Sequence, residues 1–114
     1  GGKAIAVKCD VVVAEDNAQL VKKAVEAFGS VDIAFLNAGV FSSEAKPIWE
    51  TDSKVWTKNY EVNVFGVHHG LKYVLKQMVE QGKGGSVIVN SSAVGLRAQE
   101  NLQGHSGYTS SKFA

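Results

Sequence analysis

The sequence predicts an α/β domain built on a doubly wound parallel sheet, and three observations predict it. Apolar runs of strand length alternate with longer stretches of helical periodicity. Single helical stretches separate the runs, which implies parallel strands joined by right-handed crossovers. Asp10, Asn37-Ala38-Gly39 and Ser91-Ser92 each stand directly after an apolar run. In open parallel sheets that position is the crevice where ligands bind.

The elements follow in order. Ala4 to Val7, with Cys9, reads as a buried strand between Gly1-Gly2 and Asp10. Asp16 with Gln19 three residues later has the spacing of a capping box. Leu20, Val21, Ala24, Val25 and Phe28 then form one apolar stripe, and Gly29 suits the left-handed residue that ends a helix. Val31 to Leu36 is the second strand, closed by Asn37-Ala38-Gly39. A loop from Val40 to Thr51 holds the only proline, Pro47. From about Asp52 to about Gln81 the pattern is helical, with Trp56, Tyr60, Val64, Val67, Leu71, Val74, Leu75 and Met78 spread over much of the circumference. Such a helix is buried on two sides, one on the sheet and one against a partner subunit. Gly82-Lys83-Gly84-Gly85 ends it, Ser86 to Asn90 is the third strand, Ser91 to Gly107 a polar loop, and Tyr108 opens another helix. The order is β-α-β-α-β-loop-α.

Composition narrows the function. The 114 residues are 45% hydrophobic and 20% charged, as expected of one small globular domain. Twelve basic against eleven acidic residues leave a net charge of +1, which argues against a nucleic-acid surface. One cysteine excludes an internal disulfide, and no Cys/His spacing suits a metal. The apolar runs are too short to span a membrane. With no signal peptide visible, the expected location is the cytoplasm. Lacking an initiator Met and stopping inside a helix, the chain reads as an internal piece of a longer protein.

The chemistry rests on a few polar groups. Tyr108 and Lys112 are four apart, so a helix presents both on one face. A free phenol ionises near pH ~10, too high for efficient proton transfer at neutrality, and an adjacent ammonium favours the phenolate. Ser92, beyond the third strand, can hydrogen-bond a substrate carbonyl and steady its developing negative charge; Ser91 can do the same by position. Asn63 lies inside the long apolar helix, where its amide needs a partner: a strand's backbone, or a water leading toward Lys112. His68 and His69 are adjacent and cannot share a metal face, so a packed or interface role is expected. His105, in the loop near Tyr108, could touch substrate but reads first as a surface histidine; Trp49 and Trp56 read as core or subunit contacts, and Cys9 as an inert buried thiol. Gly66 and Gly70 read as points of close helix packing.

Asp10-Val11, Asn37-Ala38-Gly39, Asn63-Val64-Phe65-Gly66, Val87-Ile88-Val89-Asn90-Ser91-Ser92 and Tyr108-Thr109-Ser110-Ser111-Lys112, in this order, resemble the short-chain dehydrogenase/reductase family. The resemblance covers residues 1–114 and implies the central part of one Rossmann-like NAD(P)-binding domain. It also implies an enzyme that moves hydride between NAD or NADP and a small carbonyl or secondary alcohol. Tyr108 matches the acid/base, Lys112 the residue that lowers the tyrosine pKa and holds the nicotinamide ribose, Ser92 the substrate serine, and Asn63 the proton-relay asparagine. Asp10 and Val11 match the adenine contacts; Asn37, Ala38 and Gly39 match the motif that braces the sheet and admits the cofactor. A homo-oligomer through the helix around Asn63 is expected.

The chain departs from the family pattern at Leu36, where a second asparagine is common. The loop from Ser92 to Tyr108, through Gln99-Glu100-Asn101-Leu102-Gln103, is longer than usual. It also lacks the Gly-rich turn that cradles a pyrophosphate and the residue that selects NAD or NADP. The 114 residues alone are therefore expected to be inactive. The rival reading is a non-catalytic nucleotide-binding sensor or scaffold, in which retention of Tyr108, Lys112 and Ser92 has no purpose. A flavodoxin-like regulatory domain would need a cluster of acids with a metal, which the sequence lacks.

Overall fold

The computed structural model describes residues 1–44, 46–97 and 104–114. Helix α1 (Ala14–Phe28) leads to strand β1 (Ile33–Leu36). Helix α2 (Ser53–Tyr60) runs through a π-helical turn (Glu61–Gly66) into α3 (Val67–Gln81). Strand β2 (Ser86–Val89) and helix α4 (Ser106–Phe113) complete the order. The strands are parallel, with Ile33 opposite Ser86 and Leu36 opposite Val89. The α/β class with a parallel sheet is as the sequence predicts.

Local chemistry accounts for most boundaries. Gly29 ends α1 with φ +88°, a left-handed conformation that a Cβ would strain, and its N–H donates to Val25 O at 2.8 Å. Asp52 caps α2, its carboxylate accepting from Lys54 N–H at 2.8 Å. The inner face of the α2–α3 helix buries Asn59, Val62, Asn63, Gly66, Gly70, Val74 and Met78. α3 packs on β1 and α1 packs along α3. Gly70 is the notch that receives Leu36: a Cβ there would lie 2.9 Å from Leu36 Cδ2. The leucine thus packs tightly onto α3. Gly66 is a similar point of close approach, to Val11.

Four expectations need correction. Residues 4–9 are not a strand. An apolar cavity of about 200 Å³, lined by Cys9, Val11, Phe35 and Leu36, separates this segment from the edge of β1, and without a ladder no strand forms. Asp16 does not cap α1, which begins two residues earlier; its carboxylate accepts from Asp10 N–H at 2.9 Å, and Gln19 donates to Glu15. The long helix is not uniform, because the π turn falls at Asn63. Its second apolar side, including Phe65 and Val79, is uncovered in the single chain, the side expected to meet a partner subunit, and Trp49, at 81% accessible, is no core residue. The expected lengthening through 99–103 lies outside the described residues. Among the described residues no helix is long and apolar enough to cross a membrane.

Candidate active site

The ends of β1 and β2 face the start of α4 across a cleft of about 230 Å³. Asn37, Gly39, Asn90 and Ser91 line its sheet side; Tyr108 and Lys112 line its helix side, with Phe41 at the rim. The parallel pairing puts both strand ends on one edge, and Asn90 Nδ2 donates to Asn37 Oδ1 at 2.9 Å, tying the two ends together. One helical turn separates Tyr108 from Lys112, so the ammonium comes 5.8 Å from the centre of the phenol ring. The same ring meets Phe41 in an edge-to-face contact, centroids 4.7 Å apart.

Asn63 is buried and fully bonded. Its Oδ1 accepts from Val40 N–H at 2.8 Å, and its Nδ2 donates to Val40 O at 3.0 Å and to Ser111 Oγ at 2.9 Å. The amide therefore finds backbone partners, but in the loop after β1 rather than in a strand. Those bonds tie the loop after β1 to α4. A π turn presents Asn63 there, and such turns are common at functional positions. A Cβ on Gly39 would lie 3.3 Å from Asn63 Oδ1 and 3.4 Å from Lys112 Nζ, so the Asn63 amide, the ammonium and the bare glycine share one corner.

The two candidate serines separate. Ser91 lines the cleft, and its hydroxyl donates to Lys112 O at 3.2 Å. Ser92 is half-buried at the start of the 3₁₀ turn Ala93–Gly95, and its hydroxyl has no hydrogen bond among the described residues.

A second, open cleft of about 430 Å³ brings Asp10 and Val11 against Ala38 and Gly39. Asp10 closes a tight turn by accepting from Val12 N–H at 3.1 Å. The Val11 carbonyl receives Asn17 Nδ2 at 3.0 Å and His69 Nδ1 at 3.1 Å. A carbonyl only accepts, so His69 carries a proton on Nδ1. Of the two histidines expected to have a packed or interface role, His69 is packed and His68 is exposed. No metal-holding group of His, Cys, Asp and Glu occurs among the described residues.

Cys9, beside this cleft, is half-buried rather than locked in a strand. Desolvation, and then the negative charges of Asp16 and Asp10, push its thiol above its ordinary value. Alkylation by iodoacetamide at pH 8 is expected to run at least about threefold slower than for free cysteine, rising with pH as the thiolate forms. Mass spectrometry of a timed reaction checks this.

Three contributors, Phe41, Lys58 and Asn59, escape the sequence reading. Phe41 meets the His105 ring at a tilt, centroids 4.7 Å apart, and His105 Nδ1 is buried without a partner among the described residues, so it is no simple surface histidine. Lys58 lines the Asp10 cleft. Asn59 is completely buried. Its spacing of four from Asn63 in a largely apolar helix is the one signal that could have revealed it.

The family model described as short chain dehydrogenase matches residues 1–114. The chain belongs to that family. Its relatives include 3beta-hydroxysteroid dehydrogenase 2 of Eggerthella lenta, 38% identical over 114 residues, 100% of this chain and 42% of that protein. A solved short chain dehydrogenase/reductase from Burkholderia phymatum, in complex with NAD, is 32% identical with TM-score 0.87, over 96% of this chain and 37% of the other. An alcohol dehydrogenase from the archaeon Thermococcus sibiricus, complexed with 5-hydroxy-NADP, is 33% identical with TM-score 0.78, over 93% and 42%. This short-chain dehydrogenase chain therefore spans about two fifths of the length of the proteins it matches. The likeness extends to the Rossmann fold, of which β1, β2 and the helices around them are a part.

Proposed function

We propose that the protein containing this chain is an oxidoreductase that moves hydride between NAD or NADP and a small carbonyl/secondary-alcohol pair, with Tyr108 as acid/base. The observation that carries the reading is the convergence of Tyr108, Lys112 and the tips of both strands on one cleft, with Asn63 bonded behind it. The residues suit a dinucleotide. An acidic side chain lies next to small residues in an open groove, and the Gly39 corner leaves room beside the ammonium. Asp10 and Val11 would hold the adenine, Asn37, Ala38 and Gly39 the middle, and Lys112 and Tyr108 the nicotinamide ribose. When bound, the dinucleotide supplies or accepts the hydride.

The chain's own groups manage the proton. In reduction Tyr108 gives its phenolic proton to the carbonyl oxygen as that oxygen gains charge; in oxidation it takes the proton from the alcohol. The Lys112 ammonium steadies the phenolate electrostatically and orients the ring. Ser92 is assigned to the carbonyl oxygen on the strength of the motif, with Ser91 the alternative because it lines the cleft. Asn63 and Lys112, sharing the Gly39 corner, form the route by which the proton reaches solvent. The exposed Phe65 and Val79 support a homo-oligomer through the long helix.

Following the reduced-nicotinamide absorbance of the full-length protein, against a panel of ketones and secondary alcohols, tests the reading. Turnover with some of them is expected; cofactor binding without turnover on any would favour a sensor. The span 1–114 is proposed as the central part of one domain. Both strands leave apolar side chains exposed, Ile33 at 71% and Ile88 at 50%. Calorimetry of the isolated span is accordingly expected to give no saturable binding of NADH or NADPH.

A further inference from the structure

We propose that Asn59 is a positioning residue for Tyr108, acting through Phe41; this rests on the reading of Tyr108 as the acid/base. Asn59 is 0% exposed, yet it is polar and lies in a helix interior. Its amide is fully used. Oδ1 accepts from Ser42 N–H at 3.1 Å, and Nδ2 donates to Ser42 O and to Val55 O, both at 2.8 Å. One turn along the helix, Asn63 treats Val40 in the same way.

The two asparagines thus imitate the edge of a neighbouring strand. Backbone groups of residues two apart in an extended segment point to the same side, so holding both fixes the backbone of the residue between them. Val40 and Ser42 are pinned on the helix side, and Phe41 between them is presented to the rings of Tyr108 and His105. Asn63 holds only the residue before Phe41, so without Asn59 the following residue is untethered. Asn59 also underlies the start of α4: a Cβ on Gly107, the residue before Tyr108, would lie 3.3 Å from Asn59 Nδ2. One buried amide therefore bonds the loop that carries Phe41 and lies close beside the backbone that carries the phenol.

No aliphatic or acidic side chain can replace this. Leucine leaves the Ser42 and Val55 groups without partners, and aspartate keeps the acceptor but faces two carbonyls with no proton to give. The effect belongs in turnover rather than in substrate affinity, because proton transfer is sensitive to the angle and distance of the phenol.

A double-mutant cycle in the full-length protein decides it, using the secondary alcohol it oxidises fastest, saturating cofactor, and kcat corrected for active fraction. Asn59→Ala and Phe41→Ala are each expected to lower kcat about tenfold, with KM changed less than about threefold, and the double variant to be no slower than the worse single. Should Asn59→Ala not fold, Asn59→Asp, which keeps the volume and the Ser42 N–H acceptor, takes its place in the cycle. Losses that multiply in the double variant, or an unchanged kcat alongside a lowered melting temperature, overturn the proposal, because a purely structural asparagine behaves so. Multiplicative losses with an inactive Tyr108→Phe variant overturn this proposal alone. Normal turnover in Tyr108→Phe overturns the acid/base reading and this proposal with it.

Discussion

Replacing Tyr108 by phenylalanine in the full-length protein lowers kcat by about 10²–10⁴-fold, while the dissociation constant for NADH stays within about threefold. The size is that of a lost general acid/base. The substitution removes one oxygen and one proton and leaves the ring's packing surface. Its edge-to-face contact with Phe41 and its place beside the Lys112 ammonium both involve the ring rather than the hydroxyl. The asymmetry between kcat and cofactor affinity is the informative part. A residue that only packs would cost stability, and one that only binds would cost affinity. Stopped-flow and steady-state assays of hydride transfer, with fluorescence titration of NADH, measure both. Turnover near that of the wild type would remove Tyr108 from its role.

Gly39→Val is expected to lose both turnover and cofactor affinity, the latter by about tenfold or more. Even the first added carbon lies 3.3 Å from Asn63 Oδ1 and 3.4 Å from Lys112 Nζ, tighter than most packed contacts, and the two γ-methyls extend further into the cleft. Overpacking of this kind costs about 1–3 kcal/mol, and about 1.4 kcal/mol already corresponds to tenfold in binding. The same glycine separates the two clefts, lining the one with Tyr108 and the one with Asp10. Affinity for NADH, measured by fluorescence or calorimetry, should fall together with kcat. A variant that binds NADH as tightly as the wild type would show that the cofactor does not pass this corner.

Much of the architecture was legible before any tertiary contact was known. The apolar stripe from Leu20 to Phe28 and the glycine after it correspond to α1 and its left-handed cap. Ile33–Leu36 and Ser86–Val89 fall inside the two runs read as strands. These signals are local, resting on periodicity over a few turns and on the φ angles a residue tolerates. The segment from Ala4 to Cys9 misled for the opposite reason. Its composition suits a strand, but a strand exists only through pairing, and the edge of β1 is too far away across an apolar cavity. Asp16 misled because a carboxylate near a helix start can serve either the helix or the chain before it, and here it holds the Asp10 amide.

Of the candidate site, the sequence alone determined that Asn37-Ala38-Gly39 and Ser91 stand after strands and that Tyr108 and Lys112 share a helix face. Strand ends and helix turns are fixed by spacing along the chain. Only the tertiary structure decided that Ser91 rather than Ser92 lines the cleft, that Asn63 spends its amide on Val40 and Ser111, and that Phe41 and Asn59 stand behind the phenol. Those facts depend on hydrogen bonds between residues 17 to 48 positions apart and on which face of a loop is pinned to a helix. No local preference encodes such partners, because an amide or an aromatic ring is equally stable with any partner of the right geometry until packing leaves it just one.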